Sequence, residues 1–395
     1  MNGRQRMAVA MCHQEPDRVP VMCQLSIGHY ALHGGHKPHE IWYESEAFAD
    51  AAVKLARRYQ FDGVLVGLPG RPASYLDANV ISIQETQEGE WLMWRNGDKT
   101  FMPWDDMPHH FPARQSTHMR AQYETFKPER DITEIDRYPA YTWAIYHMQE
   151  LPGKSPGPMV VGQIPEYLFR TFDMVKARVG GELSVHGSVY SPLTHFFELF
   201  GYEDGLTGLV TDREKAHLIL DRITDGVIAW AIALIKRGAD ALSHSSAFVG
   251  APFLSRMMYR EFVVPYERRV NEAITAAGGV VYTHSCGRIG DRLDLLTASG
   301  TMGISALDPP PLGDGDLTIA KRDFGDRLFF RGNISPVLLL SYRTPEEVVA
   351  EASRVLRIGK PGGGYILSTS CSVAPRTEAW KLELLTPLSE EIGRY

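Results

Sequence analysis

Val280-Val281-Tyr282-Thr283-His284-Ser285-Cys286-Gly287 and Tyr365-Ile366-Leu367-Ser368-Thr369-Ser370-Cys371 are two apolar, β-prone runs, each ending in side chains able to hold a metal. From about residue 158 onward, runs of this kind (159–162, 183–190, 241–245, 280–284, 302–307, 328–332 and 365–370) alternate with amphipathic helical stretches. Strands separated by helices pair in parallel through right-handed crossovers. Adding 19–25 and 63–68 gives nine candidates for the eight strand positions of a closed (β/α)8 TIM barrel, with 159–162 the surplus one. An open doubly wound sheet would want a glycine-rich first turn, and none follows either early run.

Between the strands, 213–237 carries apolar residues every three or four positions, and Thr211 with Glu214 reads as its capping box. Thr344-Pro345-Glu346-Glu347 is a second helix start: cap residue, proline at the first helical position, acid at the third. Residues 71–150 interrupt the alternation. There 81–85 and 90–94 predict a hairpin, Asn96-Gly97-Asp98 a turn, and a further β-like stretch follows, with 102–112 rich in Pro, His and aromatics. The expectation is one barrel domain over 1–395, with 71–150 inserted over one end.

Where chemistry could sit follows from that barrel, because its catalytic groups collect where strands terminate at the C-terminal face. His284 and Cys286, two apart, share a strand face, and Cys371 arrives from another strand end. Two thiolates and one imidazole suit zinc, and three protein ligands leave the fourth tetrahedral position open, the catalytic pattern. The rival reading is that of buried cysteines acting as small hydrophobes. His244, at the end of 241–245, is either a catalytic group facing metal or substrate or a hydrogen-bonded barrel histidine. Asp308 and Asn333, after 302–307 and 328–332, either bond the substrate and orient a ligand or serve turns and caps.

Gln163, Glu166 and Tyr167 lie near the Pro165 turn as pocket or loop residues. His29, His33, His36 and His39 could share a helical face, but Gly34, Gly35 and Pro38 interrupt them. Cys12 and Cys23 have no partner at ligand spacing. Gly362–Gly364 precedes a strand and lacks the lysine of a phosphate loop. Tyr30, Trp91, Trp94 and Trp104, with Trp42 and Tyr43, would suit an aromatic ligand or simply a packed core.

Bulk composition narrows the partners. Hydrophobic residues at 44% and charged residues at 23% of 395 are ordinary for a globular chain. The formal charge of −7 comes with no basic run, against a nucleic-acid surface. No apolar stretch approaches the roughly 20 residues needed to cross a bilayer. Four cysteines and no secretory leader predict a cytoplasmic chain with reduced thiols free to bind metal.

At His284-Ser285-Cys286-Gly287-Arg288, Arg331-Gly332-Asn333, Thr344–Val348, 361–367, Gly238-Ala239-Asp240-Ala241 and Phe262-Val263-Val264-Pro265, the chain resembles the uroporphyrinogen decarboxylase-like superfamily. More closely, it is similar to the branch of zinc-dependent, corrinoid-linked methyltransferases that includes the methylcobalamin:coenzyme M methyltransferases. The resemblance is good over roughly 180–380 and looser over the first 70 residues. It implies zinc on His284, Cys286 and Cys371, and a methyl group passed between a corrinoid and a small-molecule donor or acceptor: thiol, folate or methylated substrate. No Asp-x-His-x-x-Gly run is present, so cobalamin would arrive on a partner corrinoid protein. The alternatives are a metal-free decarboxylase and a non-catalytic binding barrel. Against decarboxylation, no arginine occurs between Arg18 and Arg57, and Gly67-Leu68-Pro69-Gly70 stands where the decarboxylases carry an essential acid.

Overall fold

Eleven strands form two sheets in a computed structural model that describes residues 1–111, 113, 121–131 and 164–395. In chain order they are β1 (Gly63–Val66), β2 (Val80–Glu85), β3 (Gly89–Trp94), β4 (Lys99–Pro103), β5 (His109–Phe111), β6 (Ser184–Tyr190), β7 (Ala241–Ser245), β8 (Val281–His284), β9 (Gly303–Ser305), β10 (Phe329–Ile334) and β11 (Tyr365–Thr369). The curled sheet runs β1-β6-β7-β8-β9-β10-β11, every pair parallel. Segment 19–25 fills the eighth position. Val21 bridges Leu367 and Leu25 bridges Val373 in parallel, with Leu367 N donating to Pro20 O at 2.8 Å. On its other side Asp62 N, at the foot of β1, donates to Val21 O at 2.8 Å. The barrel is therefore closed, as the alternation predicted. The run 159–162 lies outside the described residues.

Alternation along each strand separates an outward set, packed under the helices, from an inward set. The inward Met22, Leu65, Ala241, Tyr282, Phe329 and Ile366 meet Met7, Ala10 and Met11 of the first helix, Gly3–Met11, in one apolar plug. That helix seals the N-terminal end and leaves the C-terminal end free for a site. Three glycines before β11, Gly362, Gly363 and Gly364, all have positive φ; a Cβ on Gly363 would stand 2.6 Å from Gln14 O. They make a tight turn against the N-terminal segment.

Helix Pro345–Gly359 starts at the predicted capping box, with Thr344 N donating to the Glu347 carboxylate at 3.0 Å. The start of helix Arg213–Lys236 needs a correction. Asp212 is its cap, accepting from Lys215 N at 3.1 Å, while Thr211 ends the preceding helix and its hydroxyl donates to Thr207 O. A carboxylate one residue closer takes the orphan amides instead.

The predicted hairpin is β2–β3, and β4 and β5 extend it into a four-stranded antiparallel sheet. Its aromatics divide by role. Trp94 and Tyr43 pack edge-on at 5.4 Å with Tyr75 beside them, Trp91 stacks near Phe101 and Phe111, and Trp104 donates to Gln87 O. Among the described residues no helix is long and apolar enough to cross a membrane.

Candidate metal centre and cavity

His284 ends β8, Cys286 follows it by two, and Cys371 follows β11. Their ligand atoms meet. Cys286 Sγ lies 3.3 Å from His284 Nε2 and 3.5 Å from Cys371 Sγ, and Cys371 Sγ lies 3.9 Å from the same nitrogen. A tetrahedral ion with bonds of about 2.3 Å to sulfur and about 2.0 Å to nitrogen needs edges of about 3.8 Å between sulfurs and about 3.6 Å between sulfur and nitrogen. The triangle has that size. The hydrogen bond between the sulfurs holds the Cys371 thiol well below the usual cysteine range, and the same bond, with burial, pushes Cys286 well up. Two bare thiolates this close repel, and a divalent cation would remove that repulsion.

Each vertex is fixed by its surroundings. His284 turns Nε2 toward the sulfurs, and its Nδ1 lies 3.4 Å from Ser305 Oγ. That hydroxyl also accepts from Arg331 Nε at 3.1 Å and Nη2 at 2.8 Å, and Arg331 reaches Gln24 Oε1 at 3.3 Å. Gly287, at φ +78°, turns the chain just after Cys286, and its N–H donates to Asp308 Oδ2 at 2.8 Å. Burial pushes the Asp308 carboxyl up. Asn333 Nδ2 donates to Leu307 O at 3.1 Å and so pins the loop that carries Asp308. Ser372, beside Cys371, accepts from Gln24 Nε2 at 2.9 Å.

The cluster opens on a cavity of about 200 Å³ at the C-terminal end. His284 lines it with Gln24, Ser26, Ser188, Ser243, Ser245 and Ser372 as polar members, and Tyr30, Trp42, Phe48, Tyr190, Met107 and Leu68 among the apolar ones. Asp308 and Asn333 stand behind the metal-competent residues rather than on this lining.

His244 is a correction. It is fully buried, with Nδ1 2.8 Å from Asn271 Oδ1 on the outer helix Val264–Ala276, while its neighbours Ser243 and Ser245 line the cavity. Ser245 pairs in register with the inward His284, so period-two alternation turns His244 outward. Burial pushes its imidazole down to about 4, which leaves it neutral. It touches neither cavity nor cluster. Of the other expectations, Gln163 lies outside the described residues and Glu166 pairs with Arg237 at the surface. Tyr167 packs against the core. Of the early histidines, His29 and His33 have ring centroids 4.3 Å apart and His29 bonds Tyr59, while His36 pairs with Asp50 and His39 with Glu90, so the four do not gather around one point.

The sequence reading missed His195 and Glu198. Both are under a tenth exposed on helix Pro192–Phe200, with His195 Nδ1 3.4 Å from Glu198 Oε2 and His195 on the cavity lining. A lone His in Thr194-His195-Phe196-Phe197 gave no sign of which face it would take. The same is true of Ser305 and Arg331, whose meeting depends on barrel closure.

Behind the wall, Glu267 accepts the Ser246 hydroxyl at 2.5 Å, and burial pushes its carboxyl up from 4.5 to about 7. A raised folded-state pKa means stability fully present below 4.5 and lost as pH rises through about 7. Glu267→Gln is expected to remove about 3 kcal/mol of that loss. Urea midpoints of the two proteins, compared at either end of the window, should diverge as pH rises; parallel curves would rule the account out.

Comparison with known proteins places the fold in context. The family model for uroporphyrinogen decarboxylase (URO-D) matches residues 136–391, more than half of the chain. Methylcobamide:CoM methyltransferase MtaA of Methanosarcina barkeri is 24% identical over 229 residues, 58% of this chain and 64% of that protein. Uroporphyrinogen decarboxylase of Chlorobium limicola is 29% identical over 191 residues, 46% of this chain and 51% of that protein. The matches thus span about half to just under two thirds of these curated relatives. A solved methyltransferase from Methanosarcina mazei superposes with a TM-score of 0.71 at 17% identity, covering 99% of both chains, a likeness of fold.

Proposed function

We propose, from the premise that this chain belongs to the uroporphyrinogen decarboxylase family, that it is a zinc-dependent methyltransferase. It would move a methyl group between a corrinoid carried by a separate protein and a small molecule (thiol, folate or methylated donor) in the barrel cavity. The observation that carries this reading is the triangle of His284 Nε2, Cys286 Sγ and Cys371 Sγ at the edge of a cavity that His284 also lines. Three protein donors leave a fourth position for a ligand from that cavity. Bound there, zinc would supply a Lewis acid that keeps a sulfur ligand deprotonated or polarises a methyl donor.

The chain's own residues set the rest. Ser305 meets His284 Nδ1 and so helps hold the ring with Nε2 toward the sulfurs. Asp308 holds the turn after Cys286, and Gln24 holds Ser372 beside Cys371. Apolar walls exclude water from a ligand placed against the cluster. The relatives divide between methyl transfer and decarboxylation, and the lining favours the first. No Lys or Arg lines the cavity among the described residues to clamp a tetrapyrrole's acidic arms. Gly67, Leu68 and Pro69 line it where the decarboxylases carry their key acid.

Stoichiometric zinc, and exchange of labelled methyl between methylcobalamin and a thiol, tetrahydrofolate or corrinoid protein, are the expected results. Full turnover of a tetrapyrrole acid by chelator-treated protein would overturn the proposal. Tight zinc with no exchange to any acceptor would instead mark a binding barrel.

A further inference from the structure

We infer that the cavity binds a single uncharged aromatic ring bearing a hydrogen-bonding substituent, with Trp42, Phe48, Tyr30 and Tyr190 around the ring and the His195–Glu198 pair reading the substituent. This deepens the methyl-transfer reading, on which it rests for the cavity's being the substrate site.

Size is the first argument. An apolar cavity of about 150 Å³ admits benzene. The cavity here is about 200 Å³, which leaves room for one ring and its substituents. Charge is the second. No described lining residue is Lys, Arg, Asp or Glu, so a charged ligand would lose its hydration without a partner. The Arg331 guanidinium is 1% exposed, engaged with Ser305 and Gln24, and does not line the cavity.

Aromatic walls are the third argument. Tyr30 and Phe48 pack at 5.0 Å as one wall element, and Trp42 adds an indole to the same cavity. Tyr190 stands edge-on to the His195 ring at 5.9 Å. Rings offer a flat ligand large contact area with little conformational freedom to lose.

The polar end supplies the fourth. Glu198 Oε2 lies 3.4 Å from His195 Nδ1, so the two groups form one polar patch on the wall where His195 meets the cavity. His195 follows β6, and His284 ends β8, two strands on. Both imidazoles line the one cavity, so a ring with substituents at opposite ends can offer one to the metal cluster and the other to His195.

Titration of the full chain with 4-methoxyphenol and methoxybenzene tests the inference by calorimetry. Methoxyphenol is expected to bind more tightly in the native protein. Trp42→Ala should weaken both probes by about tenfold, as the loss of one large ring contact would. His195→Leu should weaken only methoxyphenol, by about fivefold, the worth of one hydrogen bond, and so abolish the preference. His195→Gln, which keeps a donor, should restore it. Equal weakening of both probes by His195→Leu overturns the role of His195. Tighter binding of 2-mercaptoethanesulfonate or tetramethylammonium than of either ring overturns the ligand class. Repeating the titration in Cys371→Ala separates the two proposals. Ring binding that persists there supports the cavity assignment whatever the zinc and exchange measurements decide.

Discussion

Cys371→Ala is expected to hold zinc about two to three orders of magnitude more weakly than the native chain and to lose methyl transfer with it. Four-ligand zinc sites are worth about 10–16 kcal/mol in all, or roughly 3–4 kcal/mol per ligand. Removing one sulfur leaves Cys286 and His284, 3.3 Å apart, as a two-donor site. The fold should survive, because Cys371 follows β11 rather than lying within it, and its neighbours keep their bonds. Ser370 N still donates to Ile334 O at 2.8 Å, and Ser372 still meets Gln24. In metal-free protein the variant removes one of two crowded thiols, so its thermal midpoint should match or exceed that of the native apoprotein. Zinc per chain after dialysis against a graded chelator reads the first effect, and melting reads the second. Undiminished stoichiometric zinc in Cys371→Ala removes the basis of the metal assignment. Asp308→Ala should give a smaller loss, about 10–100-fold in affinity, because it frees the turn after Cys286 without removing a donor.

What the sequence disclosed, and what it withheld, follows one physical division. Strand identity is local. Apolar β-prone runs between amphipathic helices placed the strands, and the residues just past two of them placed the metal-competent side chains. Facing is less local. Ser243 and Ser245 look into the cavity and His244 looks out because Ser245 is in register with His284, a relation invisible until the two strands pair. Treating His284 as inward and counting along β7 would have given the parity, had the register been known. His195 and Glu198 share a helix face at i, i+3, yet which side of that helix meets the cavity depends on its packing against the helices Tyr202–Thr211 and Arg213–Lys236. Arg331, Ser305 and Gln24 come from three separate barrel positions and meet only when the ring closes. The same holds for Tyr30 and Trp42, which reach the cavity, against Trp94 and Tyr43, which pack with Tyr75 at the four-stranded sheet. Composition alone could not separate them.

Ring closure itself depends on one carboxylate, and Asp62→Ala is expected to destabilise the protein by about 3–5 kcal/mol, the usual result of breaking a buried ion pair from one side. Asp62 is 2% exposed at the foot of β1. Its Oδ1 accepts from Arg6 at 2.5 Å and from Arg18 at 3.2 Å, and its Oδ2 from Arg18 at 2.8 Å and from Val21 N at 2.7 Å. Two guanidiniums, each under a tenth exposed, and one strand amide therefore share a single acceptor. Val21 belongs to the segment that takes the eighth barrel position, and Arg6 to the helix that plugs the floor, so the loss falls on closure and plug together. Asp62→Asn should cost less, since an amide oxygen can still accept from Val21 N, but it gives up the charge that both arginines need. Asp17 provides the control. It pairs with the same Arg6 at 2.6 Å, yet its side chain is 43% exposed, so Asp17→Asn should cost under about 1 kcal/mol. Urea unfolding of the three variants is expected to rank Asp62→Ala, Asp62→Asn and Asp17→Asn in descending order of loss. If Asp62→Ala proved no worse than Asp17→Asn, barrel closure would have to be held by the backbone bridges of Val21 and Leu25 alone.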